Sequence, residues 1–184
     1  GVRLVGSEMC IRDRINRDHG YTYKLEHLEL LDGVIEGLQA ISKLDFQIII
    51  ITNQSGIARG LFSINDLHIF MQGLISELSD HKIHITDYFF CPHYPDGKIT
   101  EYSKVCSCRK PEPGMLFQAK EKYSLDFSKS ILIGDNETDI RAADNANLFS
   151  TILINNSGNP VNTSAANEAK NLIGASEIIK RYNT

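Results

Sequence analysis

A chain of 184 residues with 42% hydrophobic and 23% charged side chains has the make-up of one soluble globular domain with a core of respectable size. Its formal charge of −4 and pI near 5.9 come from interspersed acids and bases, without a basic stripe that could follow a nucleic-acid backbone, so nucleic acid is not an expected partner. The longest apolar run, Phe46 to Thr52, falls far short of the roughly 20 residues a bilayer span needs, and the opening residues form no apolar core of a secretory signal, so the expectation is a cytoplasmic protein without a membrane segment.

In chain order, Val34, Leu38, Ile41 and Leu44 recur at steps of three and four, which predicts an amphipathic helix over Gly33 to Leu44. Phe46 to Thr52 is β-branched and continuously apolar, the pattern of a parallel strand covered on both faces. Ser63 is a good N-cap with Asp66 near the positive end of the helix dipole, and Leu67, Phe70, Met71, Leu74, Ile75 and Leu78 predict a helix to about Ser79. Asp87 to Phe90 reads as a short strand and Pro113 to Tyr123 as a helix opened by its proline. Ser130 to Gly134 is a strand, Asn136 to Ala146 a helix, Thr151 to Ile154 a strand, and two short helices are expected to close the chain. Alternating strands and helices imply an α/β protein, a Rossmann-like parallel sheet with helices on both faces. The polar stretch Asn155 to Ala166 is a loop too short to link domains.

Cys91-Pro92-His93 is followed after twelve residues by Cys106-Ser107-Cys108, giving three thiolates and one imidazole, a donor set suited to tetrahedral zinc with no open position. Zinc so bound is structural, ordering a loop with little apolar content of its own. The competing reading is two incidental thiol pairs, but free cysteines favour apolar surroundings, and Tyr94, Pro95, Asp96 and Lys98 do not supply them. Such clustering favours metal over disulfides and leaves Cys10 over.

In open parallel sheets ligands bind beyond the carboxyl ends of the strands. Thr52-Asn53-Gln54-Ser55-Gly56 offers hydroxyl, amide and backbone donors to phosphate oxygens there, although by itself it could be a plain strand-end turn. Arg109-Lys110-Pro111 directly follows the cysteines, so a metal clamp would fix a guanidinium fork and a point charge that would otherwise be a solvated pair. Asp135 stands at the end of the next strand with Asp139 one helical turn further; hard oxygens beside phosphate imply magnesium, and N-capping by Asp135 is the plainer alternative.

These three strand ends, in this order, resemble motifs two, three and four of the haloacid dehalogenase superfamily of phosphatases. Asp18-His19-Gly20-Tyr21, the run from Thr52 to Gly60, Cys91-Pro92-His93, Cys108-Arg109-Lys110-Pro111 and Gly134-Asp135 narrow the likeness to its heptose bisphosphate phosphatase family, from about Ile15 almost to the end. The histidinol-phosphate phosphatases share the scaffold and a similar zinc loop and remain the alternative, although the long spacer between the Cys-His and Cys-Cys halves and the DHGY segment favour the heptose family.

The resemblance implies a zinc-stapled haloacid dehalogenase-like fold and hydrolysis of the 7-phosphate of D-glycero-D-manno-heptose 1,7-bisphosphate in lipopolysaccharide precursor synthesis. One aspartate would attack phosphorus to form an aspartyl-phosphate, and a second, two residues on, would protonate the leaving sugar oxygen. Thr52 and Lys110 would hold the transferring phosphoryl group, and Asp135 would ligate a catalytic Mg2+. Asp18, His19, Gly20, Tyr21, Asn53, Gln54, Ser55, Arg109 and Asn136 would contact substrate, while Cys91, His93, Cys106 and Cys108 would hold a structural Zn2+. By the same analogy the protein would be a monomer whose partner is a small sugar phosphate.

One part of the pattern is missing. The family places its paired aspartates in a D-x-D-G sequence shortly before the position of Ile15-Asn16, where this chain has Cys10 and Arg12 in the two slots and Asp13 in that of the glycine. Residues 1–14 also lack an apolar strand ending in Leu-Asp, so no first strand is predicted there. They are read as a segment foreign to the domain, an artefact joined ahead of residues 15–184; the alternative is a pseudoenzyme that binds sugar phosphate without cleaving it. Cys10 as a replacement nucleophile is disfavoured, since Arg12 can neither ligate magnesium nor act as an acid near pH 7.

Overall fold

The computed structural model describes residues 4–7, for the backbone alone, and residues 23–182. The chain runs β1 (Leu4–Ser7), α1 (Val34–Ser42), β2 (Gln47–Asn53), α2 (Ser55–Ala58), α3 (Ile64–Asp80), β3 (Ile85–Cys91), α4 (Gly114–Tyr123), β4 (Ile131–Gly134), α5 (Glu137–Asn145), β5 (Ser150–Ile154), β6 (Asn167–Ala169) and α6 (Leu172–Tyr182). Short 3-10 turns over Leu25–His27 and Phe127–Lys129 lie between them.

Among the described residues six strands form one parallel sheet in the order β3-β2-β1-β4-β5-β6. The strand order reverses beside β1, and in open parallel sheets the carboxyl ends of the strands at such a point, here β2, β1 and β4, are where ligands bind. Successive isoleucines of β2 point to opposite faces, as the two-residue period of a strand requires. Ile48 and Ile50 join α1, α3 and α6 in one core cluster, and Ile49 and Ile51 join α4 and α5 in the other. All four are at most 1% exposed, and each such burial is worth about 1.5–3 kcal/mol. Where α1 crosses α6, a Cβ on Gly37 would come within 2.6 Å of the Leu172 backbone, so only glycine allows that approach.

The expected helix at Ser63 has a complete capping box: the Ser63 side chain accepts from the Asp66 N–H at 3.1 Å, and the Asp66 carboxylate accepts from the Ser63 N–H at 2.8 Å. Two expectations need correction. Residues 1–14 do supply a strand: Leu4–Ser7 pairs with β2 on one side and β4 on the other, because both neighbours need a parallel partner for their backbone groups. The chain closes with one strand and one helix, not two helices, because Asn167–Ala169 adds to the open edge of β5. Among the described residues no helix is long and apolar enough to cross a membrane.

Candidate functional site

β3 delivers its last residue, Cys91, into the predicted cluster, and the ligand atoms of Cys91, His93, Cys106 and Cys108 all lie within 4.8 Å of one another. The Cys108 sulfur is 3.2 Å from that of Cys91 and 3.3 Å from that of Cys106. His93 Nδ1 lies 3.3 Å from the Cys108 sulfur and 3.5 Å from the Cys91 sulfur. Zinc bonds of about 2.0–2.3 Å would set tetrahedral edges near 3.4–3.8 Å, so the residues fit such an ion with adjustments of a few tenths of an ångström. Burial and then the Cys108 thiol push the Cys91 thiol above its ordinary range, while burial lowers that of His93. As thiolates the three sulfurs would repel one another unless a cation lay between them, and a neutral imidazole is the form of His93 that can ligate one.

Two residues beyond Cys108 the chain turns into the sheet. The Asn53 side chain grips the Lys110 backbone at both ends, accepting from its N–H at 3.2 Å and donating to its carbonyl at 3.3 Å. Thus the end of β2 fixes the Lys110 main chain, and the Lys110 side chain, only 6% exposed, runs inward. Its ammonium donates to the Ile51 carbonyl at 3.3 Å and meets Asp139 Oδ1 at 3.3 Å. Burial draws Lys110 below the usual lysine range, against the pull of Asp139 and, more weakly, Asp135.

The other wall is the start of α5. Asp139 Oδ2 accepts from the backbone N–H groups of Asp135 at 3.1 Å and Asn136 at 3.0 Å, so one carboxylate ties a helix N-terminus to a buried ammonium. Gly134 makes room for this, since a Cβ there would lie 2.5 Å from Asp139 Cβ and 2.9 Å from its Oδ2. The N-cap is Asn136, whose side chain accepts from the Thr138 N–H at 3.3 Å, and not Asp135 as the plainer alternative had it.

The sequence-selected residues thus divide by position. Thr52 is buried at the end of β2, with Gln54 donating to its hydroxyl at 3.1 Å, and Ser55 opens α2. Thr52, Asn53, Lys110 and Asp135 gather at the carboxyl ends of β2 and β4, with a cation and a carboxylate close enough to influence each other. Arg109 points another way, donating from Nη1 to the His93 carbonyl at 3.2 Å. Cys10, Arg12, Asp18, His19, Gly20 and Tyr21 lie outside the described residues.

Sequence reasoning placed Asp139 beside a metal and missed its pairing with Lys110; the glycine before Asp135 was the available signal, for it leaves space for a carboxylate one turn on. It also missed Arg59, whose guanidinium lies 4.0 Å from the centre of the Tyr94 ring. No sequence pattern announces that pair.

Comparisons with known proteins agree in kind. A family model described as HAD-hydrolase-like matches residues 107–173. The D-glycero-beta-D-manno-heptose-1,7-bisphosphate 7-phosphatase of Escherichia coli K12 is 37% identical over 155 residues, covering 84% of this chain and 81% of the relative. The D-glycero-alpha-D-manno-heptose-1,7-bisphosphate 7-phosphatase of Photorhabdus laumondii is 41% identical over 168 residues, covering 90% and 91%. The crystal structure of a D,D-heptose 1,7-bisphosphate phosphatase from B. bronchiseptica, complexed with magnesium and phosphate, superposes with a TM-score of 0.81 at 24% identity, covering 98% of this chain and 99% of that one. That last likeness concerns the fold.

Proposed function

This chain belongs to the heptose bisphosphate phosphatase family of haloacid dehalogenase-like hydrolases, a family of phosphoric monoester hydrolases, and from that premise we propose that its strand-end pocket binds D-glycero-D-manno-heptose 1,7-bisphosphate with the 7-phosphate at Lys110 and Thr52. The observation that carries the reading is the buried Lys110 ammonium, led to the end of β2 by a cysteine-histidine clamp. A positive charge in a pocket of low dielectric, beside a hydroxyl, is what a transferring phosphoryl group requires. Asn53 fixes the Lys110 backbone, and Arg109, Gln54, Ser55, Asn136 and the segment Asp18 to Tyr21 take the rest of the substrate.

In this reading Cys91, His93, Cys106 and Cys108 hold zinc, which keeps the Arg109-Lys110 pair in place. Asp135 is the residue that would hold a magnesium ion, whose charge neutralises the phosphoryl oxygens when bound. The reaction of the domain is hydrolysis of the 7-phosphate; with Cys10 and Arg12 in the slots of the paired aspartates, the chain as written lacks the aspartate nucleophile and acid of that reaction and is inactive. It works as a monomer in a reducing, cytoplasmic setting.

The test is to install Cys10→Asp, Arg12→Asp and Asp13→Gly together, which writes D-x-D-G in register ahead of Ile15. Magnesium-dependent phosphate release from heptose 1,7-bisphosphate should appear and should exceed release from histidinol phosphate. Persistent inactivity in a folded, zinc-loaded variant, or a preference for histidinol phosphate, would overturn the assignment.

A further inference from the structure

Arg109 and Lys110 are neighbours in sequence, yet their charges serve different places. Lys110 runs into the strand ends, whereas Arg109 stays beside the loop after β3, where its guanidinium carbon lies 5.5 Å from the centre of the Tyr94 ring. The Arg59 guanidinium lies 4.0 Å from the centre of that same ring. Two like charges within roughly one Debye length of each other repel unless something else favours the arrangement. Among the described residues neither arginine forms an ion pair, and the buried Arg59 Nε has no hydrogen-bond partner.

The backbone explains why the three side chains meet. Arg59 follows directly on α2, with its N–H bonded to the Ser55 carbonyl at 3.0 Å. The loop after the clamp histidine is tied to the same helix end: Lys98 and Ile99 N–H both donate to the Ala58 carbonyl, at 2.7 and 2.9 Å. The loop closes on itself through Tyr94 N–H to the Tyr102 carbonyl at 3.1 Å. The loop that carries Tyr94 is therefore held to the end of α2 and closed on itself. Attraction between a cation and an aromatic face, worth about 0.5–2 kcal/mol, then holds each guanidinium to it.

We infer that Arg59 is a positioning residue for Arg109: by stacking on Tyr94 it sets the ring against which the Arg109 guanidinium is held, and Arg109 there receives the substrate phosphate that is not transferred. This rests on the reading of the pocket given above, in which Lys110 and Thr52 take the other phosphate. A guanidinium fork suits that second group because it can meet two phosphate oxygens at once. The cationic pair loses its mutual repulsion when an anion is bound beside it.

Titration calorimetry of the zinc-loaded chain, in which the missing aspartate pair leaves no turnover to intervene, compares heptose 1,7-bisphosphate with heptose 7-phosphate. Arg59→Ala should weaken bisphosphate binding roughly 3- to 10-fold, the range a single cation–aromatic contact supports, and change monophosphate binding less than about twofold. Tyr94→Leu should do the same, and Tyr94→Phe, which keeps the ring, should restore the bisphosphate preference. Because Arg59 acts through Arg109, Arg59→Ala should cost nothing further in an Arg109→Ala background. Equal weakening of both ligands, full additivity in the double variant, or no effect from either Arg59→Ala or Tyr94→Leu would overturn the inference and leave the pocket reading intact. A parent chain that binds neither sugar phosphate would overturn the pocket reading, and this inference with it.

Discussion

Lys110 Nζ and Asp139 Oδ1 stand 3.3 Å apart with their side chains only 6% and 4% exposed, a buried ion pair that couples the clamp segment to the start of α5. Removing one partner of such a pair strands a charge, which costs far more than the pair itself contributes. Asp139→Ala removes the carboxylate that meets the buried Lys110 ammonium and takes their acceptor from the Asp135 and Asn136 N–H groups. It should lower stability by about 3–5 kcal/mol in urea unfolding. Asp139→Asn, which keeps an acceptor for the N–H groups, should cost less; a cost below about 1 kcal/mol for the alanine variant would show that the pair is relaxed by water.

Much of this arrangement could be read from the sequence, for local reasons. The run Gln47–Asn53 declares a buried strand by its isoleucines, Ser63 and Asp66 declare a cap by their three-residue spacing, and three cysteines with a histidine declare a donor set. The rest depends on partners distant in the chain. β6 is three residues long and exists because β5 has an open edge, and β1 exists because β2 and β4 flank one slot. Asp139 looked like a metal neighbour because carboxylates near phosphate suggest magnesium, yet its partner is 29 positions away in the chain. The meeting of Arg59 and Tyr94 likewise follows from a loop bonded to the Ala58 carbonyl, which no periodicity encodes.

The clamp makes a second prediction. Cys91 is fully buried while Cys106 and Cys108 are partly exposed, so a metal held by the four ligands would be reachable from the Cys106-Cys108 side. The purified chain should carry about one zinc, and Cys108→Ser should lower that content. Since Lys110 follows Cys108 by two residues, loss of the metal should abolish binding of inorganic phosphate while far-ultraviolet circular dichroism stays close to that of the parent, because neither core cluster depends on the loop alone. Full phosphate binding by the metal-free chain would separate the clamp from the pocket.

Gly134 offers a steric test of the same site. Gly134→Ala places a Cβ 2.5 Å from Asp139 Cβ and 2.9 Å from its Oδ2, which forces the carboxylate away from the two N–H groups and from Lys110. Overpacking of this kind costs about 1–3 kcal/mol, and phosphate affinity should fall with it. Gly174→Ala in α6 is the matched control: its new Cβ meets Ala169 at an ordinary 3.4 Å, and alanine favours a helix, so stability should hold or rise slightly. Similar thermal melts for both variants would contradict the close approach at Gly134.

The acid limb of stability should carry the mark of Asp87, on β3. Its Oδ2 accepts from Lys122 Nζ at 2.7 Å and from the Tyr123 hydroxyl at 2.8 Å, and its Oδ1 from the Tyr88 N–H at 2.8 Å, so it fastens the end of α4 to the strand that delivers Cys91. Burial opposes ionisation most strongly, but the Lys122, Tyr123 and Tyr88 hydrogen bonds together outweigh it and hold the carboxyl below its ordinary value of 3.8. A lowered folded value means that the unfolded chain takes up the proton first as pH falls. The contribution is therefore fully present above the unfolded value and is lost as pH drops through the folded one. Because Lys122 is 59% exposed, the contribution is only about 0.5–1 kcal/mol. Asp87→Asn should thus lower the melting temperature by about 1–4 °C at pH 7, and the gap to the parent should close between about pH 4 and pH 2. A gap that persists unchanged at pH 2 would assign the effect to packing and not to the charge.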